Sequence, residues 1–384
     1  MFAYLVVSGF LNLSTWILLL LPNFLAARGW SSQQIGWAVG AYFLSYLVFQ
    51  ILAGRIADRI GNIPTAMIGT LVGAMGGILY FAALWFLPLI FAARLLHAMG
   101  YAMITAGALL QLLHSVPPHL RGRVMGYFGL PGFFMIGFGP LLAEWMVYRW
   151  GFEVVFLSVP AMYGAIALLL IRLPRTLAAD APHPWPFFTA LKASFSPLKL
   201  VLFFSVLFGL CFSAWNSFLA PTVRSVGAGG VSGFGLGYGL GAVMTRLGIS
   251  HRLDTGGRRY VAVSSLFLYG LCLMFIPRSG SIYHLLLLGW ICGMSHGIFY
   301  PSLSSIAAEN FHPSITGQAM SLYLSASSLG MFVGPPLWGT IIDKVGNAPM
   351  FATAGVTMAL GTLLFVLCRF CAPFWWRGLG KRWE

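Results

Sequence analysis

Residues 122–140 read GRVMGYFGLPGFFMIGFGP, and residues 317–335 read GQAMSLYLSASSLGMFVGP. The second segment repeats the first without a gap, and Gly122 and Gly317 are 195 positions apart. Both segments end on the same Gly-Pro pair. Two copies of one pattern, half a chain length apart, predict two similar structural units in the same chain.

The repeat extends well beyond these two segments. At the offset of 195 the match runs over residues 118–156 and 313–351. A second match, at an offset of 196, pairs Tyr42 with Tyr238, Asp58 with Asp254, and Gly61 with Gly257. In an apolar chain such a repeat favours two helical bundles that meet across a central pathway.

The composition is that of an integral membrane protein. Hydrophobic residues make up 59% and charged residues 8% of the chain, whereas about 25% of the residues of a soluble protein are charged. A membrane span needs roughly 20 apolar residues. Twelve runs satisfy this: 2–22, 35–54, 63–86, 88–113, 124–147, 152–173, 198–220, 231–249, 259–277, 283–306, 315–341 and 348–371.

The basic residues predict the orientation of these spans. With both termini cytoplasmic, the cytoplasmic segments carry Arg55, Arg59, Arg121, Arg123, Arg172, Arg175, Lys192, Lys199, Arg246, Arg252, Arg258, Arg259, Arg369, Arg377, Lys381 and Arg382. The opposite side carries only Arg28, Arg149, Arg224, Arg278 and Lys344. This positive-inside bias predicts a multi-pass protein of the plasma (inner) membrane, and the charge pattern does not favour nucleic-acid binding.

Four regions follow from the runs and from the polar, proline-containing segment between the sixth and seventh of them. We expect an N-terminal six-helix bundle (1–173), a cytoplasmic linker (174–197), a C-terminal six-helix bundle (198–371) and a basic aromatic tail (372–384). No strand precedes the glycine-rich stretch Gly227–Gly241, and the stretch enters an apolar run, which favours close helix packing over nucleotide binding.

The segment Gly54-Arg55-Ile56-Ala57-Asp58-Arg59-Ile60-Gly61 follows the second apolar run, where we expect a sharp turn with a glycine at each end. It resembles the signature of the major facilitator superfamily between helices 2 and 3, although Asn62-Ile63 replaces the usual basic pair. The second copy supplies that pair in a sequence that contains Asp254, Gly257, Arg258 and Arg259. By this resemblance, Asp58 and these residues are candidates for a cytoplasmic gate.

The resemblance to drug- and sugar-efflux permeases of this superfamily covers nearly the whole chain. It implies about 12 transmembrane helices in two pseudo-symmetric six-helix bundles, with helices 1, 4, 7 and 10 around a central cavity. Gly139-Pro140 and Gly334-Pro335 resemble the glycine-proline signature of helices 5 and 11. Proline removes a backbone hydrogen bond and glycine permits close contact, so these pairs predict bending or packing between the halves.

Arg94 is the residue most suggestive of function, because a charge within an apolar span is costly unless it faces a cavity or a partner. Arg94, His97, Tyr101 and Thr105 share one helical face. Pairing of Arg94 with Glu144 or with a helix-end carbonyl is the alternative. The predicted cavity set is Asn12, Thr15, Arg94, His97, Tyr101, Ser213, Asn216, His296 and Tyr300. Taken singly, Asn12, Thr15 and Ser213 also fit hydrogen bonds to neighbouring helices.

These features predict a monomeric secondary transporter that moves a small organic solute by alternating access and needs no cofactor. Efflux is favoured by the resemblance, and proton coupling would use His97 or His296, since histidine titrates near neutrality. An arginine without a cavity carboxylate favours neutral or anionic solutes. The alternatives are uptake or facilitated diffusion, a sensor that transports nothing, and a soft-metal path of histidine, methionine and cysteine. We expect no enzyme, because no catalytic cluster is evident.

Overall fold

The computed structural model describes residues 1–117, 120–173, 187–248, 258–309 and 316–371, and these parts of the chain are helical. The helices are α1 (Phe2–Ala27), α2 (Ser32–Ile60), α3 (Asn62–Ala82), α4 (Leu89–His114), α5 (Arg121–Trp150), α6 (Phe152–Ile171), α7 (Phe187–Val226), α8 (Ser232–Gly248), α9 (Arg258–Phe275), α10 (Ile282–Glu309), α11 (Thr316–Val345) and α12 (Asn347–Cys371).

Each predicted run corresponds to one of these helices, so the predicted all-helical membrane fold is confirmed. Eight helices in the described ranges are long and apolar enough to cross a membrane. The structure places the start of α7 at Phe187, ahead of the predicted run. Residues 174–186 of the predicted linker and the whole predicted tail lie outside the described residues.

The expectation of a turn that begins at Gly54 is wrong. α2 continues to Ile60 and ends at Gly61, whose φ of 93° belongs to the left-handed region. The arginines and Asp58 can extend a helix beyond the apolar run, because nothing in their backbone opposes it, whereas Gly61 provides the conformation that ends it. Asp254 and Gly257 lie outside the described residues, and Arg258 and Arg259 are the first residues of α9.

Gly151 and Gly346, which the repeat relates, form equivalent turns. Their φ angles are 85° and 91°, and they connect α5 to α6 and α11 to α12. Side chains with a Cβ rarely adopt this conformation, so the repeat retains glycine at both positions.

Since α1 and α12 are the first and last of an even number of spans, α1 begins and α12 ends at the same face of the bundle. We call this the terminal face and the opposite one the distal face. α1 is interrupted near the distal face by a 3₁₀ turn at Ile17–Leu20, before Pro22. Proline has no backbone N–H to donate, so Pro22 cannot make the α-helical hydrogen bond to the Leu18 carbonyl.

The two halves meet along two seams, one between α2 and α11 and the other between α5 and α8. Both rely on glycine. A Cβ on Gly40 of α2 would lie 2.9 Å from the Phe332 carbonyl oxygen of α11, and a Cβ on Gly239 of α8 would lie 2.7 Å from the Phe133 carbonyl oxygen of α5. Such distances leave no room for a side chain, so the helix backbones are in direct contact.

The glycine-proline pairs divide between two environments. A Cβ on Gly139 would lie 2.6 Å from the Trp16 Cβ of α1, and Gly334 packs in the same way on Leu210 and Ser213 of α7. Both glycines therefore pack inside their own half, rather than between the halves as expected. Only the prolines reach the seams, where Pro335 contacts Gly36.

Candidate functional site

A cavity of about 230 Å³ lies between the two halves. Its polar wall residues come from both halves: Asn12 and Thr15 of α1, Arg94 and Tyr101 of α4, Asn216 of α7, Tyr300 of α10, and Ser327 and Ser328 of α11. Aromatic residues complete the wall: Trp16, Tyr42, Phe43, Tyr46 and Phe212. The cavity is therefore mainly apolar and aromatic, with a few polar groups, as is typical of sites for small organic molecules.

The distal wall of the cavity is closed by the broken part of α1. Leu18 and Leu19 of the 3₁₀ turn line the cavity and are themselves buried. Trp16 stacks on Trp215 of α7, with ring centroids 6.0 Å apart and an interplanar angle of 6°. Contacts between the halves thus separate the cavity from the distal face.

Arg94 is the one charged residue that the described part of the chain contributes to this wall. Its Nη2 donates to the Val39 carbonyl oxygen at 3.2 Å, and its guanidinium carbon lies 4.7 Å from the centroid of the Tyr42 ring. The side chain is 5% exposed, and Nε is buried without a hydrogen-bond partner. Among the described residues, the cavity wall includes no aspartate or glutamate. Arg94 therefore brings positive charge to the cavity with no carboxylate there to balance it.

The tyrosines next to Arg94 are held by hydrogen bonds from α1. The Tyr101 hydroxyl donates to Asn12 Oδ1 at 3.1 Å, and the Tyr42 hydroxyl lies 3.3 Å from Thr15 Oγ1. Tyr46 packs edge-on against Tyr101 with centroids 5.7 Å apart. This network fixes the rings that a bound molecule would contact.

The structure places some of the nine predicted cavity residues on the cavity wall and others away from it. Six lie on the wall: Asn12, Thr15, Arg94, Tyr101, Asn216 and Tyr300. Ser213 faces away from it, with its hydroxyl donating to the Leu210 carbonyl at 2.6 Å and its side chain against Gly334. His97 and His296 lie behind the wall. The alternative pairing of Arg94 with Glu144 is wrong, since Glu144 binds α8.

His97 is buried and has a partner at each ring nitrogen. Nε2 lies 3.2 Å from Ser14 Oγ, and Nδ1 lies 3.2 Å from the Tyr80 hydroxyl. The Tyr42 ring contacts both His97 and Arg94. A second positive charge on His97 would therefore have to form in a buried place beside an arginine, which is unfavourable.

His296 occupies a comparable position in the second half but is only partly buried. Its Nδ1 lies 2.6 Å from the Tyr238 hydroxyl, and its ring packs on Phe133 and Phe208. Tyr238 is the repeat partner of Tyr42. Each half thus keeps a histidine and a tyrosine close to the central pathway.

Sequence reasoning missed Trp16, Tyr42, Tyr46 and Arg246. The aromatic residues look like ordinary membrane-helix residues, although the Tyr42–Tyr238 match marks a position where the halves agree. The sequence places Arg246 in a cytoplasmic segment, because it lies near the end of a predicted span. In the structure, its guanidinium carbon lies 4.7 Å from the centroid of the Phe133 ring in α5.

At the distal face, two carboxylates cap helices of the opposite half. Asp343 of α11 accepts hydrogen bonds from the backbone N–H groups of Ser32 and Gln33, at 2.8 and 2.9 Å, where α2 begins. Glu144 of α5 accepts from the backbone N–H groups of Val231 and Ser232, where α8 begins. Each carboxylate binds unpaired donors at the positive end of a helix dipole. We call these contacts the Asp343 cap and the Glu144 cap.

The environment of Asp343, which lies beyond the predicted apolar run, affects its acidity. Desolvation raises the pKa of Asp343, but the hydrogen bonds from the backbone of Gln33 and Ser32, together with those from the side chains of Ser32 and Ser31, lower it by more. The pKa therefore lies below its ordinary value of 3.8. The cap is ionised, and so able to accept both bonds, at neutral pH.

Two repeat-related bundles of membrane helices around a central cavity are the architecture of many membrane transporters. The chain belongs to the major facilitator superfamily, whose family model matches residues 1–335 and 231–375. An uncharacterised MFS-type transporter of Burkholderia mallei is 25% identical over 362 residues, which is 90% of this chain and 86% of the relative. A Mycobacterium tuberculosis MFS-type transporter is 28% identical over 179 residues; the match covers 46% of this chain and 30% of that protein.

Solved structures share the fold at low sequence identity. The nucleoside transporter NupG gives a TM-score of 0.73 at 17% identity, covering 95% of this chain and 98% of that one. The human organic anion transporter MFSD10 (TETRAN) gives 0.70 at 18%, covering 94% and 97%. A POT family transporter in complex with 5-aminolevulinic acid gives 0.76 at 13%, covering 95% of each chain. These neighbours show the fold alone, and it is the family match that makes the protein a transporter of a solute.

Proposed function

We propose that the protein transports a small organic anion by alternating access, and that Arg94 binds the anionic group. The observation that carries this proposal is the uncompensated charge on the cavity wall. An arginine at the centre of a membrane helix costs about 3 kcal/mol on insertion scales. An anionic substrate would offset this cost, because it would supply the missing counter-charge and an acceptor for Nε.

The remainder of the wall favours an aromatic or amphipathic molecule. Tyr42, Tyr46, Tyr101 and Phe212 offer ring faces and edges to a solute of modest size. Aromatic pairs contribute about 0.5–1.5 kcal/mol beyond their burial. Asn216, Ser327 and Ser328 can supply hydrogen bonds to polar substituents. One structural neighbour is named an organic anion transporter, but at 18% identity it supports the fold only.

The terminal face, in this proposal, is cytoplasmic in the plasma (inner) membrane, as the positive-inside bias indicates. The two caps and the Trp16–Trp215 stack would then close the external side and leave the cavity to load from the cytoplasm. Such loading fits efflux. Uptake, facilitated diffusion and a sensor that transports nothing are alternatives that flux measurements distinguish.

The test compares salicylate with its neutral amide, salicylamide, in proteoliposomes that contain the purified protein. We expect salicylate, but not salicylamide, to be transported and to raise the thermal stability of the protein in detergent. A charge-assisted hydrogen bond contributes about 1.5–3 kcal/mol, so Arg94→Gln should weaken salicylate binding roughly 10- to 100-fold. Arg94→Lys, which keeps the charge, should retain part of the binding.

The matched control is Arg278→Gln. Arg278 is exposed, lies in the turn after α9 and donates to the Met274 carbonyl near the end of that helix, so its loss should leave salicylate binding unchanged. Equal responses to salicylate and salicylamide, or an Arg94→Gln variant that binds salicylate as well as the wild type, would contradict the proposal.

Proton coupling is a separate part of the proposal, and we assign it to His296. Both histidines lie close to an arginine, but His97 is fully buried whereas His296 is only partly buried. We expect salicylate flux to increase when an inward proton gradient is imposed, and His296→Gln to abolish that increase without preventing exchange at equal pH. Flux that is the same with and without a gradient would exclude coupling.

A further inference from the structure

We propose that Arg246 is a second anion-binding station, nearer the terminal face, which receives the anionic group of the substrate from Arg94. This inference rests on the proposed transport of an organic anion. Arg246 lies in the last turn of α8 and faces α5 across the seam between the halves.

The surroundings of Arg246 resemble those of Arg94 in three respects. Each guanidinium carbon lies 4.7 Å from the centroid of an aromatic ring, that of Phe133 or of Tyr42. Each Nε atom is buried and has no hydrogen-bond partner. Each arginine lies close to a histidine and packs on a ring of a neighbouring helix, and no carboxylate of the described residues pairs with it.

Besides His296, two tyrosine hydroxyls of the described residues lie near Arg246. Tyr300 of α10 and Tyr323 of α11 lie close enough to interact with its charge. Among the described residues no carboxylate contacts it. A guanidinium whose neighbours are phenol hydroxyls and a ring face can bind an incoming anion without breaking an ion pair, whereas an arginine paired with a carboxylate would have to release its partner first.

Tyr300 connects the two stations. It lies on the wall of the Arg94 cavity, and its hydroxyl also interacts with Arg246. Tyr46 and Tyr101, which belong to the cavity, also lie close enough to interact with the Tyr300 hydroxyl. A carboxylate that leaves Arg94 would therefore meet the Tyr300 hydroxyl before it reaches Arg246.

The two stations lie at different depths. Arg94 contacts α2 at Val39, whereas the 196-residue offset aligns Arg246 with Gln50, eleven residues further toward the terminal face. At 1.5 Å per residue the guanidinium groups are separated along the axis by on the order of 10 Å. A small solute would therefore contact them in turn, which predicts that Arg246 affects the rate of passage more than the affinity of the cavity.

The experiment measures salicylate binding by thermal shift and salicylate flux in proteoliposomes, for the wild type, Arg246→Gln, Arg246→Lys and Arg94→Gln. We expect Arg246→Gln to keep its salicylate affinity within about twofold while the maximal flux falls at least tenfold, and Arg246→Lys to recover part of that flux. Arg94→Gln should lose affinity instead. Lys199→Gln, at an exposed position of α7, is the control for loss of a positive charge.

The other outcomes are distinct. Wild-type flux in Arg246→Gln would overturn the second station and leave the proposed function standing. Equal losses of affinity in Arg246→Gln and Arg94→Gln would mean one shared site, which also overturns it. A wild-type protein that neither binds nor transports salicylate or any other aromatic carboxylate would overturn both proposals.

Discussion

The α2–α11 seam and the α5–α8 seam contain the same close crossing of two helices. By the repeat, α2 corresponds to α8 and α11 to α5, but the glycine of the crossing lies on α2 in one seam and on α5 in the other. In the first, Gly40 of α2 meets Phe332 of α11; in the second, Gly137 of α5 meets Leu236 of α8. The repeat offsets align position 40 with 236 and position 137 with 332. The repeat therefore determines where the helices cross, and packing requires only that one of the two residues at the crossing be small.

The two distal caps show the same freedom. The repeat aligns Asp343 with Tyr148, not with Glu144. Tyr148 and Glu144 are four residues apart, about one helical turn, so both positions lie on the same face of α5. Each half thus uses a carboxylate to cap the first turn of a helix in the opposite half, α2 or α8. The two carboxylates lie on equivalent faces of α11 and α5, although they do not align in sequence.

The largest effect should come from blocking either crossing. Gly40→Leu and Gly137→Leu place a side chain where a Cβ already lies 2.9 or 3.0 Å from the facing backbone. Overpacking costs about 1–3 kcal/mol, so we expect the melting temperature to fall by several degrees. Gly164→Leu is the control, since nothing lies within 4 Å of a Cβ there. If all three variants melted alike, the crossings would not be tightly packed.

Combining the two substitutions tests whether the seams separate together. Distant sites normally add within about 0.5 kcal/mol. If one blocked crossing already parts the halves, the second substitution should cost less, and the loss of stability in Gly40→Leu/Gly137→Leu should be smaller than the sum of the two single losses. Strict additivity, measured by thermal unfolding, would mean that each seam opens alone.

Removal of the caps should have a smaller and local effect. Loss of a helix N-cap costs about 1 kcal/mol, which is roughly a fivefold change in local opening. We expect Glu144→Gln to speed amide hydrogen exchange at Val231 and Ser232. Asp343→Asn should speed amide hydrogen exchange at Ser32 and Gln33 by a smaller factor, because Asp343 is exposed. Glu153→Gln, an exposed change at the start of α6, is the control, and unchanged exchange in Glu144→Gln would exclude capping.

The smallest effect is a pH dependence confined to the Asp343 cap. Because the pKa of Asp343 lies below 3.8, the stability that its charge contributes is complete above that value and is lost as the pH falls through the lower, folded-state pKa. The difference in melting temperature between the wild type and Asp343→Asn should therefore persist at pH 5–7 and shrink below about 3.8. A difference that shrinks instead between pH 7 and 5 would point to another group.

The number and placement of the helices could be predicted from the sequence, because the apolar runs are long and the turns between them short. The end of α2 could not. Arg55 and Arg59 are polar and yet form a helix as readily as the apolar residues before them, so hydropathy placed the boundary too early and the backbone of Gly61 decided it.

The candidate site was predicted less completely. Arg94 is conspicuous because a charge in an apolar run demands an explanation. Trp16 and Tyr42 are not, since aromatic residues occur throughout the chain. Arg246 lies close enough to a helix end to resemble an ordinary cytoplasmic arginine, and only its stacking on Phe133 distinguishes it.

The sequence by itself determined the membrane class, the repeat, the spans and the family signature, because these depend on local hydrophobicity and on spacing along the chain. The tertiary structure decided which face of each helix meets the other half, and so the caps, the glycine crossings and the stacking of both arginines. Helices that are apolar on all sides carry little periodic signal about their rotation. Their contacts, between residues as far apart as Ser32 and Asp343, arise only when the packed bundle fixes that rotation.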